Sequence, residues 1–294
     1  AAAAFRARVP VRAWAAAVFC TGPLVFGFVA PVAMLLWMAA IGGHNPLTER
    51  YLELTANSAT LAGITAVLAV VLALFLAYVA RIERSRLAAA ANRVASVGYA
   101  IPGSVIAVGI LIPVATLDNA IDSFFRNTFG FGVGLIFTGG IAALVFAYLV
   151  RFLAVSFNTV QASLGKVTTH MDDVARSLGH GPLSTALKVH IPVISGGLLT
   201  AGLIVFVDVF KELPATLIMR PFDFDTLAVQ AYNLAKDERL MQAATPSLII
   251  VACGLLPVFL LSRQIMASRP GRGAQDEASL AAAERGTPPL PVGG

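Results

Sequence analysis

Apolar residues run in long blocks along this chain, and polar residues gather between the blocks. A helix needs about 20 mostly apolar residues to cross a bilayer. Six stretches meet that length, at 15–41, 55–80, 95–117, 133–155, 191–213 and 243–266. The pattern predicts an all-α membrane protein with six transmembrane helices. The first stretch is too long for a signal-peptide core and reads as a span. Residues 1–14 then form a cytoplasmic N-terminal segment, 15–54 the first span and an outer loop, and 55–266 the main body. Residues 267–294 are rich in Ala, Gly, Pro and charge, cannot bury a core, and are expected to be a disordered cytoplasmic tail.

The connection between the fourth and fifth spans, 156–190, is long and patterned. Val160, Leu164, Val167, Met171, Val174 and Leu178 recur at three- and four-residue steps, which predicts a helix with one apolar face. Either the protein's own helix ends or a partner protein must cover that face.

Composition agrees with the pattern: 57% of the residues are hydrophobic and 13% charged, against about 25% charged in soluble domains. The net charge of +5 is distributed by loop. With the N-terminus inside, most of the 21 Lys and Arg fall in cytoplasmic segments, among them Arg6, Arg8, Arg12, Arg81, Arg84, Arg86, Arg151, Lys166, Arg176 and Lys188. Arg50, Arg126, Lys211, Arg220, Lys236 and Arg239 fall outside. This bias predicts both termini on the cytoplasmic side. The basic balance therefore reads as membrane topology, with lipid and not nucleic acid as the partner. Cys20 and Cys253 lie in apolar runs without disulfide or metal spacing, and are expected to pack as small buried hydrophobes.

One stretch carries functional information. It reads Asp173-Val-Ala-Arg-Ser-Leu-Gly179, nine residues, then Val189-His-Ile191-Pro192. A Gly beyond a helical stretch and a Pro opening the next are ordinary helix punctuation, which does not explain the fixed distance between them. The stretch resembles the cytoplasmic-loop signature of ABC importer permeases: Glu-Ala-Ala, three residues, Gly, nine residues, Ile, one residue, Leu-Pro. Asp173 stands at the Glu position, Ala175 at the second Ala, and Gly179 and Pro192 match outright. Val189 and Ile191 are conservative replacements, and Val174 departs from Ala. The resemblance implies a type I importer permease core and a short coupling helix, here about 183–188. That helix would dock in a groove of a separate ABC ATPase dimer.

A second resemblance concerns cargo. The segments Asp208-Val-Phe-Lys-Glu-Leu-Pro-Ala-Thr-Leu217 and Arg220-Pro-Phe-Asp-Phe-Asp-Thr-Leu-Ala228 are similar to ferric-iron ABC importer permeases, as is Tyr99-Ala-Ile-Pro-Gly103. Those permeases are usually fused from two homologous halves, and this chain looks most like the C-terminal half. The resemblance implies a second permease half, fused or separate, and a solute-binding protein. Within the span-five segment, Asp208 and Lys211 are spaced to neutralise each other on a helix. The alternative is that Asp208, Lys211 and Glu212 form an outer gate or line the translocation path. Pro102, inside the predicted third span, is either a packing kink or part of a broken helix along that path.

No catalytic or ATP-binding motif is present: Gly165-Lys166-Val167 is not a phosphate-binding loop, and neither His-Glu-x-x-His nor Gly-x-Ser-x-Gly occurs. ATP hydrolysis is therefore expected in another chain, and no cofactor or metal site is expected here. His44, His170, His180 and His190 lack ligand spacing and read as solvated loop residues. An ion-coupled secondary transporter would need ionisable residues near the midplane, and the predicted spans hold almost none.

Overall fold

The computed structural model describes residues 10–82, 90 and 93–267. The expected disordered tail, from 268 onward, and Arg6, Arg8, Arg84 and Arg86 lie outside the described residues. Among the described residues every regular element is helical. Helix α1 (Pro10–Leu24) runs through a π turn (Val25–Val29) into α2 (Ala30–Gly42), followed by α3 (Glu49–Ile82). A 3-10 turn (Gly98–Ala100) precedes α4 (Gly103–Phe129) and α5 (Ala142–Leu164). Two short helices, α6 (Thr169–Ser177) and α7 (Pro182–Thr185), lead through a second π turn (Ala186–His190) into α8 (Ile191–Phe210). Then come α9 (Pro214–Met219), α10 (Leu227–Lys236) and α11 (Leu240–Ala267). Among the described residues six helical runs are long and apolar enough to cross a membrane.

The centre of the bundle is α3, α5 and α8, which pack pairwise. Between helices in lipid there is little hydrophobic drive, so close approach of small residues does the packing. Ala62, Ala66, Ala69, Ala73 and Ala77 form such a buried stripe on α3. On α8, Ala201 is fully buried, and a Cβ on Gly197 would come within 1.9 Å of Ser163 Oγ on α5. Larger side chains, Leu61, Leu144, Tyr148 and Phe157, fill the remaining space. The α1–α2 run is different, since none of its spanning window is buried inside the chain. Trp14, Phe19, Phe26 and Trp37 point outward there.

Two spans lie later in the chain than hydropathy predicts. The third is Gly103–Phe129, not 95–117, and the fourth is Ala142–Leu164, not 133–155. Before Pro102 the apolar chain is a 3-10 turn packed on α5, not transmembrane helix. Beyond Leu117 the helix continues through Asp118, Asp122 and Arg126 because the following loop satisfies their charges. Asp118 is fully buried and accepts bonds from the backbone N–H groups of Ile136, Phe137 and Thr138 and from the Thr138 hydroxyl. Asp122 accepts from Gly134 N–H at 2.8 Å and pairs with Arg126 at 2.6 Å. Pro102 correspondingly sits at the N-cap of α4, ahead of the helix, so it breaks the chain and does not kink a span. Cys20 is exposed and Cys253 half-buried, so neither packs as a fully buried hydrophobe.

Candidate functional site

The α5–α8 connection begins with α6 and turns at Gly179. The Gly179 φ is +81°, in the left-handed region that a side chain makes costly. Gly179 N–H donates to the Arg176 carbonyl, and His180 N–H reaches back to the Ala175 carbonyl, each at 3.0 Å. Those two bonds form a Schellman cap, so the glycine is placed by helix termination. Pro182, at the first position of α7, restarts the helix without losing a needed N–H. The predicted short helix thus exists, but it begins at Pro182 and ends in a π turn. Ala175 is buried beneath this corner. Asp173 faces solvent, with a loose 3.8 Å contact to Arg176. Val174, Leu178, Leu183 and Leu187 are exposed, leaving the connection with an uncovered apolar surface.

Behind that surface lies a cluster that sequence reasoning missed. Asp172, next to the motif position, accepts from Arg81 Nε at 3.1 Å and Nη2 at 2.6 Å through one carboxylate oxygen. Its other oxygen lies 2.6 Å from His190 Nε2, and a carboxylate can only accept, so Nε2 carries the proton. Burial works to raise the Asp172 pKa. The bonds from Arg81 and His190 outweigh it and hold the carboxyl below the ordinary value of 3.8. Arg81 also donates to the carbonyls of Leu164 at 3.2 Å and Val167 at 3.0 Å, capping the end of α5. Tyr78, one turn earlier on α3, donates its hydroxyl to the Pro182 carbonyl. These groups border a cavity of about 350 Å³, lined also by Arg176 and His180. His190 is therefore a buried structural residue, not the solvated loop histidine expected from its spacing.

The second group of charges lies inside the bundle. Arg151 is the tenth residue of a 23-residue helix, about 14 Å from one end and 20 Å from the other. It is not a loop residue, and the spans are not free of interior charge. Its Nη1 donates to Glu212 Oε1 at 3.0 Å, and Ala215 N–H approaches the same oxygen at 3.3 Å. Gly103, the first residue of α4, backs directly onto this pair: a Cβ there would come within 1.8 Å of Arg151 Nη1 and 2.6 Å of Glu212 Oε1. The Arg151 guanidinium also sits 5.4 Å from the Phe152 ring centre. Tyr148 and Thr216 share a buried hydrogen bond beside it, at 2.6 Å.

The structure thus divides the gate candidates. Lys211 pairs with Asp208 at 3.0 Å, the helical neutralisation expected from spacing. Glu212 turns the other way, into the bundle. Pro102 adjoins Gly103 and so stands beside the Arg151–Glu212 pair, although it is distant in sequence from both. Val189, Ile191 and Pro192 carry the π turn into α8, with Pro192 in its first turn. The Arg220 segment is also explained locally: Arg220 pairs with Asp225, and Thr226 caps α10 by accepting from Val229 N–H. Among the described residues no group of three or more His, Cys, Asp or Glu is placed to hold a metal ion.

No family model matches the chain. Curated relatives do. The chain is 27% identical over 253 residues to the Fe(3+)-transport system permease protein FbpB 2 of Haemophilus influenzae, covering 82% of this chain and 47% of that protein. It is 26% identical over 117 residues to a putative 2-aminoethylphosphonate transport system permease protein, PhnV, of Salmonella typhimurium, covering 40% and 44%. The chain therefore spans less than half the length of these relatives. Among solved structures, it superposes with TM-score 0.65 on a chain of a bacterial ABC transporter that imports the acidic polysaccharide alginate, at 12% identity. That match covers 88% of this chain and 97% of the other. A chain of the MetNI methionine ABC transporter, in inward-facing conformations, gives TM-score 0.55 at 18% identity, with 75% and 99% covered. This is a multi-pass membrane protein with the fold of ABC importer permeases, and in sequence it resembles a ferric-iron transport permease.

Proposed function

We propose that the chain is a transmembrane permease subunit of a binding-protein-dependent ABC importer in a bacterial inner membrane. The observation that carries the reading is the corner at Gly179. A capped helix, a left-handed glycine and a short helix continuous with span α8 present exposed Leu178, Leu183 and Leu187 away from the bundle. Such a surface suits docking of a partner, and its continuity with a span suits transmission of movement. The partners in this reading are an ABC ATPase dimer, a second permease half and a solute-binding protein. Asp173, Ala175, Gly179, Val189, Ile191 and Pro192 form the coupling element. Pro102, Asp208, Lys211 and Glu212 border the translocation path.

The proposed cargo is ferric iron. The similarity to the iron permease runs over most of the chain, whereas the phosphonate permease matches a shorter part. A conduit that bound the ion tightly could not release it, so the selective site belongs to the binding protein. The test is uptake by vesicles containing the full transporter, supplied with ATP and loaded binding protein. Ferric-iron uptake that requires ATP supports both levels of the reading. ATP-driven uptake of a phosphonate but not of iron would overturn the cargo and leave the importer class standing. A chain that associates with no ATPase would overturn the class.

A further inference from the structure

We infer that Asp172 is the positioning residue through which movement of α7 reaches α3 and α8 together. The inference rests on the coupling role proposed for the α5–α8 connection and names how that role is executed.

Helices α7 and α8 are one helical run interrupted by the π turn Ala186–His190. Single π turns are wider than α turns and often mark functional positions. Left alone, a push on the four-residue α7 would be absorbed by bending at that turn. The structure opposes this by strapping the run to α3 on both sides of the turn's centre, at the start of α7 and at the last residue of the turn. At the α7 end, the Tyr78 hydroxyl holds the carbonyl of Pro182. At the α8 end, Asp172 holds His190, the last residue of the π turn, and bridges it to Arg81 in the last turn of α3. Tyr78 and Arg81 are three residues apart, so they project from the same face of α3. The two straps, the π turn and α3 close a loop of contacts. An edge-on contact between the Tyr78 and His190 rings, 5.6 Å between centres, fills its middle.

Asp172 is the only residue in this loop that holds two others by charge. Both oxygens are used, one for Arg81 and one for His190, and its side chain is about three-quarters covered. Arg81 also donates to the Leu164 carbonyl at the end of α5 and to the Val167 carbonyl just beyond it, so α5 is tied in as well. Three elements, α6, α3 and the π turn, therefore meet at one carboxylate, and α5 joins them through Arg81. Charge-assisted bonds of this kind are about twice as strong as neutral ones.

The test is the ratio of cargo moved to ATP hydrolysed, measured with ferric citrate and loaded binding protein in vesicles holding the complete transporter. The variants are Asp172→Asn, which keeps the shape and removes the charge, Tyr78→Phe, which removes one hydroxyl, and Asp172→Glu, which restores the charge. Asp172→Asn is expected to retain the ATPase partner and lower the ratio about tenfold, the scale of one lost charged hydrogen bond. Tyr78→Phe is expected to lower it less, and Asp172→Glu to recover part of it. An unchanged ratio in Asp172→Asn overturns the inference. So does loss of the folded protein in Asp172→Asn together with an unchanged ratio in Tyr78→Phe, because Asp172 would then be a structural residue only. These outcomes are read against the parent transporter: if the parent moves no ferric iron with ATP, it is the proposed cargo that fails, and if it associates with no ATPase, it is the importer reading.

Discussion

The protein uses the same chemical pair, an arginine and a carboxylate, in two places and in two manners. Inside the bundle, Arg151 and Glu212 are nearly alone with each other. At the end of α3, Arg81 and Asp172 are embedded in a network that reaches a histidine, a tyrosine strap and two backbone carbonyls. The difference follows from what surrounds each pair. Away from water a charge has to be matched locally, and a two-body pair closes on itself. Near the helix ends there are unsatisfied carbonyls and flexible joints to be held, and a branched network can serve all of them. The bundle pair fixes where three segments meet, and the network ties α3 and α6 to the π turn that leads into α8.

The largest expected effect comes from breaking the bundle pair unevenly. Arg151→Leu leaves Glu212 buried without its charged partner, which costs about 3–5 kcal/mol. Thermal unfolding in detergent should show a large loss of folded protein. The double variant Arg151→Leu/Glu212→Leu removes both charges and should recover most of the stability. If the single and double variants unfold alike, the pair does not act as a unit.

The two informative glycines separate the regions further. Gly103 is required by close approach, since a methyl group would strike the guanidinium already engaged with Glu212. Gly179 is required by its backbone angle, since nothing lies within 4 Å of a Cβ there. Gly103→Ala should therefore destabilise by about 1–3 kcal/mol, as overpacking does. Gly179→Ala should cost about 1 kcal/mol of left-handed strain and no collision. Gly179→Arg adds bulk at the proposed ATPase contact, and should abolish stimulation by loaded binding protein while leaving the unfolding temperature close to that of Gly179→Ala. Normal stimulation in Gly179→Arg would remove the coupling role from this corner.

What could be read from sequence follows the same division. The six spans were legible because lipid imposes long apolar runs, and Gly179 and Pro192 because spacing records helix ends. Arg151 was counted with the cytoplasmic charges although it falls near the end of the 133–155 stretch, because hydropathy does not show that a charge is paired within a span. Asp118 was hidden likewise: a buried carboxylate satisfied by loop N–H groups twenty residues away leaves no local trace. Asp172 and His190 were passed over because Asp172 joins His190 to Arg81, which lies far away in the chain, and Asp173 took the motif position beside Asp172.

Acidification sharpens the contrast at the network. The folded-state pKa of Asp172 is depressed, so its stabilising contribution is fully present above the ordinary carboxylate value of 3.8. It is lost as the pH falls through the lower folded value. The stability gap between the parent and Asp172→Asn should therefore persist down to the ordinary carboxylate range and close only below it. Unfolding midpoints recorded across an acid series would show this. A gap that closes well above that range would mean the carboxylate is not held by Arg81 and His190 as the structure places it.

The smallest expected effect on stability belongs to Asp173, and that makes it the cleanest probe. Its contact with Arg176 is 3.8 Å long, and both side chains are mostly exposed, 66% and 77%. Exposed pairs of this kind contribute about 0.5 kcal/mol or less. Asp173→Asn should thus unfold like the parent, in contrast with every change at Asp172 or Arg151. Its carboxylate nonetheless projects from the proposed docking surface, where a partner would desolvate it and a charge could be recognised. The expected result is weaker ATPase association with unchanged unfolding, measured by co-purification at increasing salt. Recovery at low salt would mark the loss as electrostatic, since screening acts strongly on exposed charges. Association equal to the parent at every salt concentration would show that Asp173 takes no part in docking, leaving the apolar residues of the corner to carry it.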